Sequence, residues 1–385
     1  MPHWLEQVLG TLLVLVVLLD VFLTVLYARI GTGIISDRLA RLTWRLFRGL
    51  ARLSGPRGGA TVLSFCGPVI LVLLVVAWAL ALTVGAALVM HPMLSTSIRA
   101  SGGGDTPTDF VAALYAGGSS MALVGASDFT PHTSAARLLF LFNSLVGASV
   151  ISLTLSYLVQ VYAALQRRNT LGLKVHLLTA ETADAAELVA GLGPQGQFST
   201  GYSNLADLAA DVTSVMEAHQ FYPVLFYFRF HHARYSVSHI SLVALDAATL
   251  IRSALDDERC GWLKESASVT QLWHASIMLL TTLEDAFLPG GVPDANAPPD
   301  AQAPARWQRR YLAALRRLRQ AGIQTVADEQ AGAEAYSLLR ARWDRYVAAL
   351  APSMAYELAE VDPAGSTPEL AEEHQGSRGR LRSVG

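Results

Sequence analysis

The first 165 residues contain three long apolar runs, whereas the remaining residues mix polar and apolar positions at helical spacing. The runs cover residues 8–27, 61–90 and 135–165, and each is 20 residues or longer. An α-helix of about 20 apolar residues crosses the ~30 Å hydrocarbon core of a bilayer. The pattern therefore predicts three transmembrane helices.

The first run carries a single charged residue, Asp20. A charge inside a span is costly and is retained for a reason. Two interpretations stay open for Asp20: a buried charge that is paired or faces a protein interface, or a direct role in gating or ion passage.

Residues 109–131 lie between the second and third runs, and their pattern differs from that of a continuous apolar span. Asp109 begins a short helical pattern, small residues cluster over 117–120, and Thr130-Pro131 ends any continuing helix. Irregular backbone at membrane depth is tolerated only where protein or a water-filled cavity surrounds it. The stretch therefore predicts a re-entrant loop that enters and leaves the membrane on one side.

This stretch resembles the pore helix and selectivity filter of tetrameric potassium channels, through the pattern Asp109-Phe110-x-x-Ala113-Leu114-Tyr115-x-x-Gly118 and then Val124-Gly125-x-x-Asp128-x-x-Pro131. The resemblance covers residues 61–168. It implies an all-α membrane protein with three transmembrane helices, a re-entrant pore helix and loop, and passive conduction of inorganic cations. One chain supplies one pore loop, so a central pore requires a homotetramer with cyclic symmetry.

The filter departs from the family's Thr-Val-Gly-Tyr-Gly-Asp, because the matching positions hold Leu123, Val124, Gly125, Ala126, Ser127 and Asp128. The threonine hydroxyl, the tyrosine and the second glycine are absent, which argues against a tight site for dehydrated potassium. A wider filter with a ring of Asp128 at its mouth would pass hydrated cations. Conduction of an anion or another permeant, and a non-conducting membrane sensor or scaffold, are the alternatives.

Gly147 follows Gly125 by 22 residues (147 − 125 = 22), a place where the family has a glycine that lets the inner helix bend. The resemblance implies a gating hinge at Gly147. Small residues in membrane helices also permit close helix packing. Hinge and packing are compatible, and both interpretations stay open.

The segment between the first two runs is basic and amphipathic, with arginines and leucines on separate helical faces. Such a helix suits an anionic membrane surface, so membrane lipids are expected partners. A voltage sensor is the sharper alternative, but the stretch is too polar for a span. Seven arginines in residues 29–60 against Arg99 alone in 91–108 place the basic segment in the cytoplasm. We therefore expect a multi-pass plasma-membrane protein with a cytoplasmic C-terminal domain.

These features predict four regions: 1–60 with the first span and the basic helix, the pore domain 61–168, a helical cytoplasmic domain 169–361, and a disordered tail 362–385. Helical spacing in the third region predicts helices over 180–191, 203–220, 233–256, 266–287, 306–321 and 332–351. A basic run in the fifth of these is interpreted as a solvated face, with contact to acidic lipid headgroups or to an acidic patch of another subunit as the alternative; it comprises Arg306, Arg309, Arg310, Arg316, Arg317 and Arg319.

The sequence contains none of the common catalytic or phosphate-binding motifs, so we expect no enzyme and no cofactor. A net charge of −2 gives no argument for nucleic acid. Five histidines fall within 219–274, but no metal site is predicted from them. Cytoplasmic pH sensing by these histidines stays open.

Overall fold

The computed structural model describes residues 2–27, 33–122, 128–288 and 302–363, and these residues are mostly helical. The helices are α1 (His3–Val21), α2 (Ser36–Leu53), α3 (Gly55–Ser64), α4 (Cys66–Met90), α5 (Phe110–Met121), α6 (Ser134–Leu178), α7 (Ala185–Leu192), α8 (Ser199–Phe221), α9 (Val237–Ala254), α10 (Asp257–Lys264), α11 (Ala267–Phe287), α12 (Ala303–Gln320), α13 (Glu329–Ala341), α14 (Asp344–Ser353) and α15 (Leu358–Val361). A π-helical turn, Phe22–Leu26, continues α1. Two short antiparallel strands, β1 (Ile98–Ala100) and β2 (Phe129–Pro131), pair Arg99 with Thr130.

The chain divides into two compact units. The first unit comprises Met1–Leu50, Phe65–Ala163 and Tyr222–Val224, and the second comprises Ala51–Ser64, Ala164–Phe221 and Leu225–Gly385. The long helix α6 contributes residues to both.

In the first unit, α1 packs closely on α4 because both helices present glycine at the contact. A Cβ added to Gly10 would lie 2.6 Å from the carbonyl oxygen of Gly85, and one added to Gly85 would lie 2.7 Å from Val14. Dispersion and close approach, rather than exclusion of water, drive helix association in a membrane. Val17, Trp78 and Leu82 are buried in the core that forms around this contact.

Among the residues that the structure describes, four helical segments are long and apolar enough to cross a membrane: His3–Leu26, Gly58–Met93, Ser134–Leu178 and Val237–Ala254. In the first three, 28 %, 39 % and 28 % of the most apolar segment is buried by protein, against 94 % in the fourth. The first three segments therefore leave most of their apolar surface exposed in the isolated chain. The fourth, α9, has the surface of a core helix, and it was predicted as a helix of the C-terminal domain.

The second unit is built around α9, on which α7, α11, α12 and α13 pack. The helices predicted at 203–220, 266–287 and 306–321 correspond to α8, α11 and α12 within a few residues. A single helix predicted over 332–351 was wrong. The chain breaks there between α13 and α14, where Trp343 has φ −130° and is fully buried.

Buried ion pairs connect α9 to α12 and α13. Asp246 is fully buried and accepts hydrogen bonds from Arg310 at 2.7 Å, Tyr336 at 2.5 Å and Arg340 at 3.1 Å. Both arginines also reach Asp362. Asp362 was predicted to begin the disordered tail, but its carboxylate belongs to this network. Residues 364–385 of that tail lie outside the described residues.

The basic run of α12 was interpreted as a solvated face, and this interpretation was wrong for Arg310. Arg310 is only 8 % exposed. Arg317 pairs with Glu187 at 2.7 Å, and Arg319 pairs with Glu329 at 2.6 Å. Acidic groups of the same chain thus take up much of this charge.

Candidate pore loop

The helix α5 follows the extended residue Asp109 and packs on α4 through its small residues. Ala113, Ala116, Gly117 and Ser120 are buried. A Cβ on Gly117 would lie 2.8 Å from the backbone nitrogen of Ala87, so only glycine permits this approach. The small residues that marked the stretch in the sequence therefore serve helix packing.

Polar side chains of α6 hold the C-terminal end of α5. Asn143 donates to the hydroxyl of Ser120 at 3.0 Å, and the hydroxyl of Ser144 donates to the backbone oxygen of Ser120 at 3.0 Å. Ser120 in turn donates to the carbonyl of Gly117 at 2.8 Å. The last carbonyl groups of a helix have no partner within it. These contacts satisfy one of them in a buried environment and fix the point from which the loop departs.

Gly147 lies against the end of α5. A Cβ at this position would come within 1.8 Å of the carbonyl oxygen of Met121 and 2.7 Å of its carbon. The position is buried, and α6 runs as one helix from Ser134 to Leu178. Close packing is therefore a physical role of Gly147 in this structure, while the predicted role as a hinge stays a prediction.

Five of the six predicted filter positions, Leu123, Val124, Gly125, Ala126 and Ser127, lie outside the described residues. The sixth, Asp128, is exposed. Its backbone oxygen accepts from the N–H of Ser101 at 3.0 Å, and its carboxylate accepts from the hydroxyl of Tyr115 at 3.0 Å. The next residue, Phe129, is buried in a core with Ala113 and Ala116.

Asp128 is therefore held in place by three contacts. Its backbone is bonded beside the antiparallel pair of β1 and β2, Tyr115 of α5 contacts its carboxylate, and Phe129 anchors the chain that follows. Tyr115 belonged to the motif, but its contact with Asp128, 13 positions away, could not be predicted from the local pattern.

Asp20 is fully buried near the end of α1. The N–H groups of Ile34 and Ile35 donate to its Oδ1 at 2.6 and 2.8 Å, and the indole N–H of Trp78 donates to its Oδ2 at 2.8 Å. Both oxygens are thus satisfied by neutral donors. Asp20 of α1 thus bonds to Trp78 of α4 and to Ile34 and Ile35, which directly precede the first residue of α2, Ser36.

An apolar cavity of about 360 Å³ lies in the first unit beside the end of α5. Its lining includes Trp78 and Thr83 from α4, Gly118 and Met121 from α5, and Gly147 from α6. The ring that donates to Asp20 therefore also forms part of this wall. The sequence did not indicate the cavity.

The histidines between 219 and 274 do not converge. In the part of the chain that the structure describes, no group of three or more His, Cys, Asp and Glu side chains is placed to hold a metal ion. His219 and His239 are buried, and the Nδ1 of each lies within hydrogen-bonding distance of a backbone carbonyl, that of Val215 or of Val361. Burial, together with the positive charge of the nearby Arg168, lowers the pKa of His219 to about 3.

The chain is similar to the uncharacterized membrane protein YdjJ of Bacillus subtilis (strain 168), with 25 % identity over 247 residues, which cover 63 % of this chain and 68 % of that protein. No family model and no solved structure matches it. The apolar helices and this relative together identify the chain as a helical membrane protein, which confirms the predicted class at that level.

Proposed function

We propose that this chain assembles as a homotetramer in the plasma membrane and conducts cations passively through a central pore. Helices α1, α4 and α6 would be its three spans, with α5 as the pore helix. The filter would run from Leu123 to Asp128. The second unit would lie in the cytoplasm, on the side to which the arginines of residues 29–60 assign it.

The observation that carries this proposal is the way in which α5 packs against its neighbouring helices. A 12-residue apolar helix, too short to span a bilayer, packs between two spanning-length helices. Its C-terminal end is fixed by Asn143 and Ser144 of α6, and the chain returns to an exposed carboxylate at Asp128. A short helix followed by a returning loop is the arrangement that a pore loop requires.

Electrostatics favours cations as the permeant ions. Four copies of an exposed Asp128 at one entrance would raise the local concentration of cations and repel anions. The residues at Leu123, Ala126 and Ser127 lack the hydroxyl, the aromatic ring and the second glycine of the potassium-channel filter. We therefore expect weak discrimination between potassium and sodium.

The experiment is a current measurement on purified protein in planar bilayers under gradients of potassium, sodium and chloride. The proposal expects a reversal potential that follows the cations together and is insensitive to chloride. A reversal potential that follows chloride would overturn it. Absence of current from tetrameric protein over a range of voltage and pH would favour the sensor or scaffold, which the departures at Leu123, Ala126 and Ser127 also favour. Native mass spectrometry gives the number of subunits.

A further inference from the structure

The helix α2 has three distinct sides. At 3.6 residues per turn, Ile35, Leu39, Leu42, Leu46 and Leu50 lie within a sector of about 80°. The arginines are centred about 120° away around the axis. A third side, with Ala40, Thr43 and Trp44, is buried.

The apolar side changes its surroundings along the helix. At its beginning, Ile35 and Leu39 pack on the core that contains Val17 and Trp78. Further along the same side, Leu42, Leu46 and Leu50 are 55 %, 59 % and 52 % exposed. One continuous apolar stripe thus starts on the spanning helices and extends beyond them.

Asp20 fixes where this stripe starts. Its carboxylate accepts the N–H groups of Ile34 and Ile35, which directly precede α2, and Thr24 and Ser36 place their hydroxyl oxygens 2.9 Å apart. The end of the first span therefore holds the beginning of α2. A helix held at the end of a span by its first residues remains within reach of the membrane surface.

The charge of α2 complements an anionic surface. Residues 36–53 contain five arginines and one acidic residue, Asp37, which gives a net charge of +4 (5 − 1). The arginines are Arg38, Arg41, Arg45, Arg48 and Arg52, and each is exposed or partly exposed. Long basic side chains can place their methylene groups against apolar surface while the charged ends reach phosphate.

From these observations we infer that α2 is an interfacial helix that binds anionic phospholipids. Leu42, Leu46 and Leu50 insert into the acyl region of the leaflet next to Asp20, and the neighbouring arginines bind the headgroup phosphates. The inference does not depend on conduction by the pore. It assigns a lipid partner and a binding face to a helix outside the candidate pore.

Spin labels on the full-length protein in nanodiscs test the insertion. Cys66 and Cys260 are buried, so the natural chain is a suitable background. A label on Leu46→Cys should collide several-fold more often with oxygen, relative to a water-soluble nickel chelate, than a label on Arg41→Cys. Equal ratios at the two positions would overturn the inference. So would a Leu46 label that neither reagent reaches, because another protein surface would then cover the stripe.

The lipid class is tested by changing the charge of the lipid headgroups and of the arginines of α2. Nanodiscs of phosphatidylcholine, with or without phosphatidylglycerol, should differ in the oxygen ratio of the Leu46 label, with the higher ratio in the anionic discs. Replacing Arg41, Arg45 and Arg48 by glutamine should abolish this difference, whereas replacing them by lysine should retain most of it. A difference that survives the glutamine replacements would contradict the assignment to anionic lipid.

Discussion

Gly147 of α6 lies so close to Met121 of α5 that a single added carbon would collide with the Met121 carbonyl oxygen at 1.8 Å. The contact joins the long third apolar helix to the last turn of the candidate pore helix. Gly147, which the spacing from Gly125 marked as a possible hinge, thus has a role in helix packing that can be measured.

We expect Gly147→Ala to destabilise the first unit by about 1–3 kcal/mol, because the backbone of α5 must move to admit the methyl group. Thermal unfolding of the purified protein in detergent would measure the loss. Gly191→Ala is the matched control, since a Cβ there meets nothing within 4 Å. Equal melting temperatures for the two variants would contradict the role in packing.

The contact between Asp20 and Trp78 should show energetic coupling. Asp20→Asn places an amide N–H₂ opposite one of the three N–H donors. We expect it to lower the free energy of unfolding by about 1–3 kcal/mol. In a Trp78→Phe background the same change should cost less, because the indole donor is gone.

A double-mutant cycle in thermal unfolding measures this coupling. Trp4→Phe, which changes an indole that is 64 % exposed on the same helix as Asp20, is the control background. Additive losses for Asp20→Asn and Trp78→Phe would show that the hydrogen bond carries no net stability.

Asp128 should control conduction through its charge. Asp128→Asn removes four negative charges from the mouth of a tetramer and should lower the cation conductance several-fold at low salt, with a smaller effect at high salt. Tyr115→Phe is the control, because it removes only the hydrogen bond to Asp128 and leaves the charge. Conductance in planar bilayers that stays unchanged in Asp128→Asn would remove Asp128 from the proposed mechanism.

Burial of His219 predicts a loss of stability in acid. Its pKa in the folded chain is about 3, below the ordinary value of 6.5, so the unfolded chain binds a proton that the folded chain excludes. Above pH 6.5 this proton difference does not lower the free energy of unfolding. As the pH falls from 6.5 to about 3, the free energy of unfolding decreases progressively.

Unfolding measured from pH 7.5 to 4.5 should therefore show a shallower decline in His219→Leu than in the natural chain. The exposed His274 offers the control His274→Leu. Parallel pH profiles for all three proteins would rule out His219 as a source of acid sensitivity.

The apolar runs predicted the class of helical membrane protein, because length and hydropathy are local properties of the sequence. The small residues of α5 likewise predicted a short interrupted helix. Contacts distant in sequence were not predictable from local pattern. Trp78 donates a hydrogen bond to Asp20, 58 positions earlier in the sequence, and Arg310 donates one to Asp246, 64 positions earlier. Helical spacing placed Arg310 on a solvated face, and a tertiary partner reversed that assignment.

The donors of Asp20 have a consequence for biogenesis. An aspartate disfavours insertion of a span by about 2.5–3.5 kcal/mol at the span centre, and by less at the position of Asp20, nearer the end. The groups that satisfy Asp20 belong to Ile34, Ile35 and Trp78, all of which leave the ribosome after the first apolar run. If α1 and α4 are the first two spans, as proposed, we expect α1 to gain its final stability in the membrane only when α4 has been synthesised. Insertion of the two helices would then be cooperative.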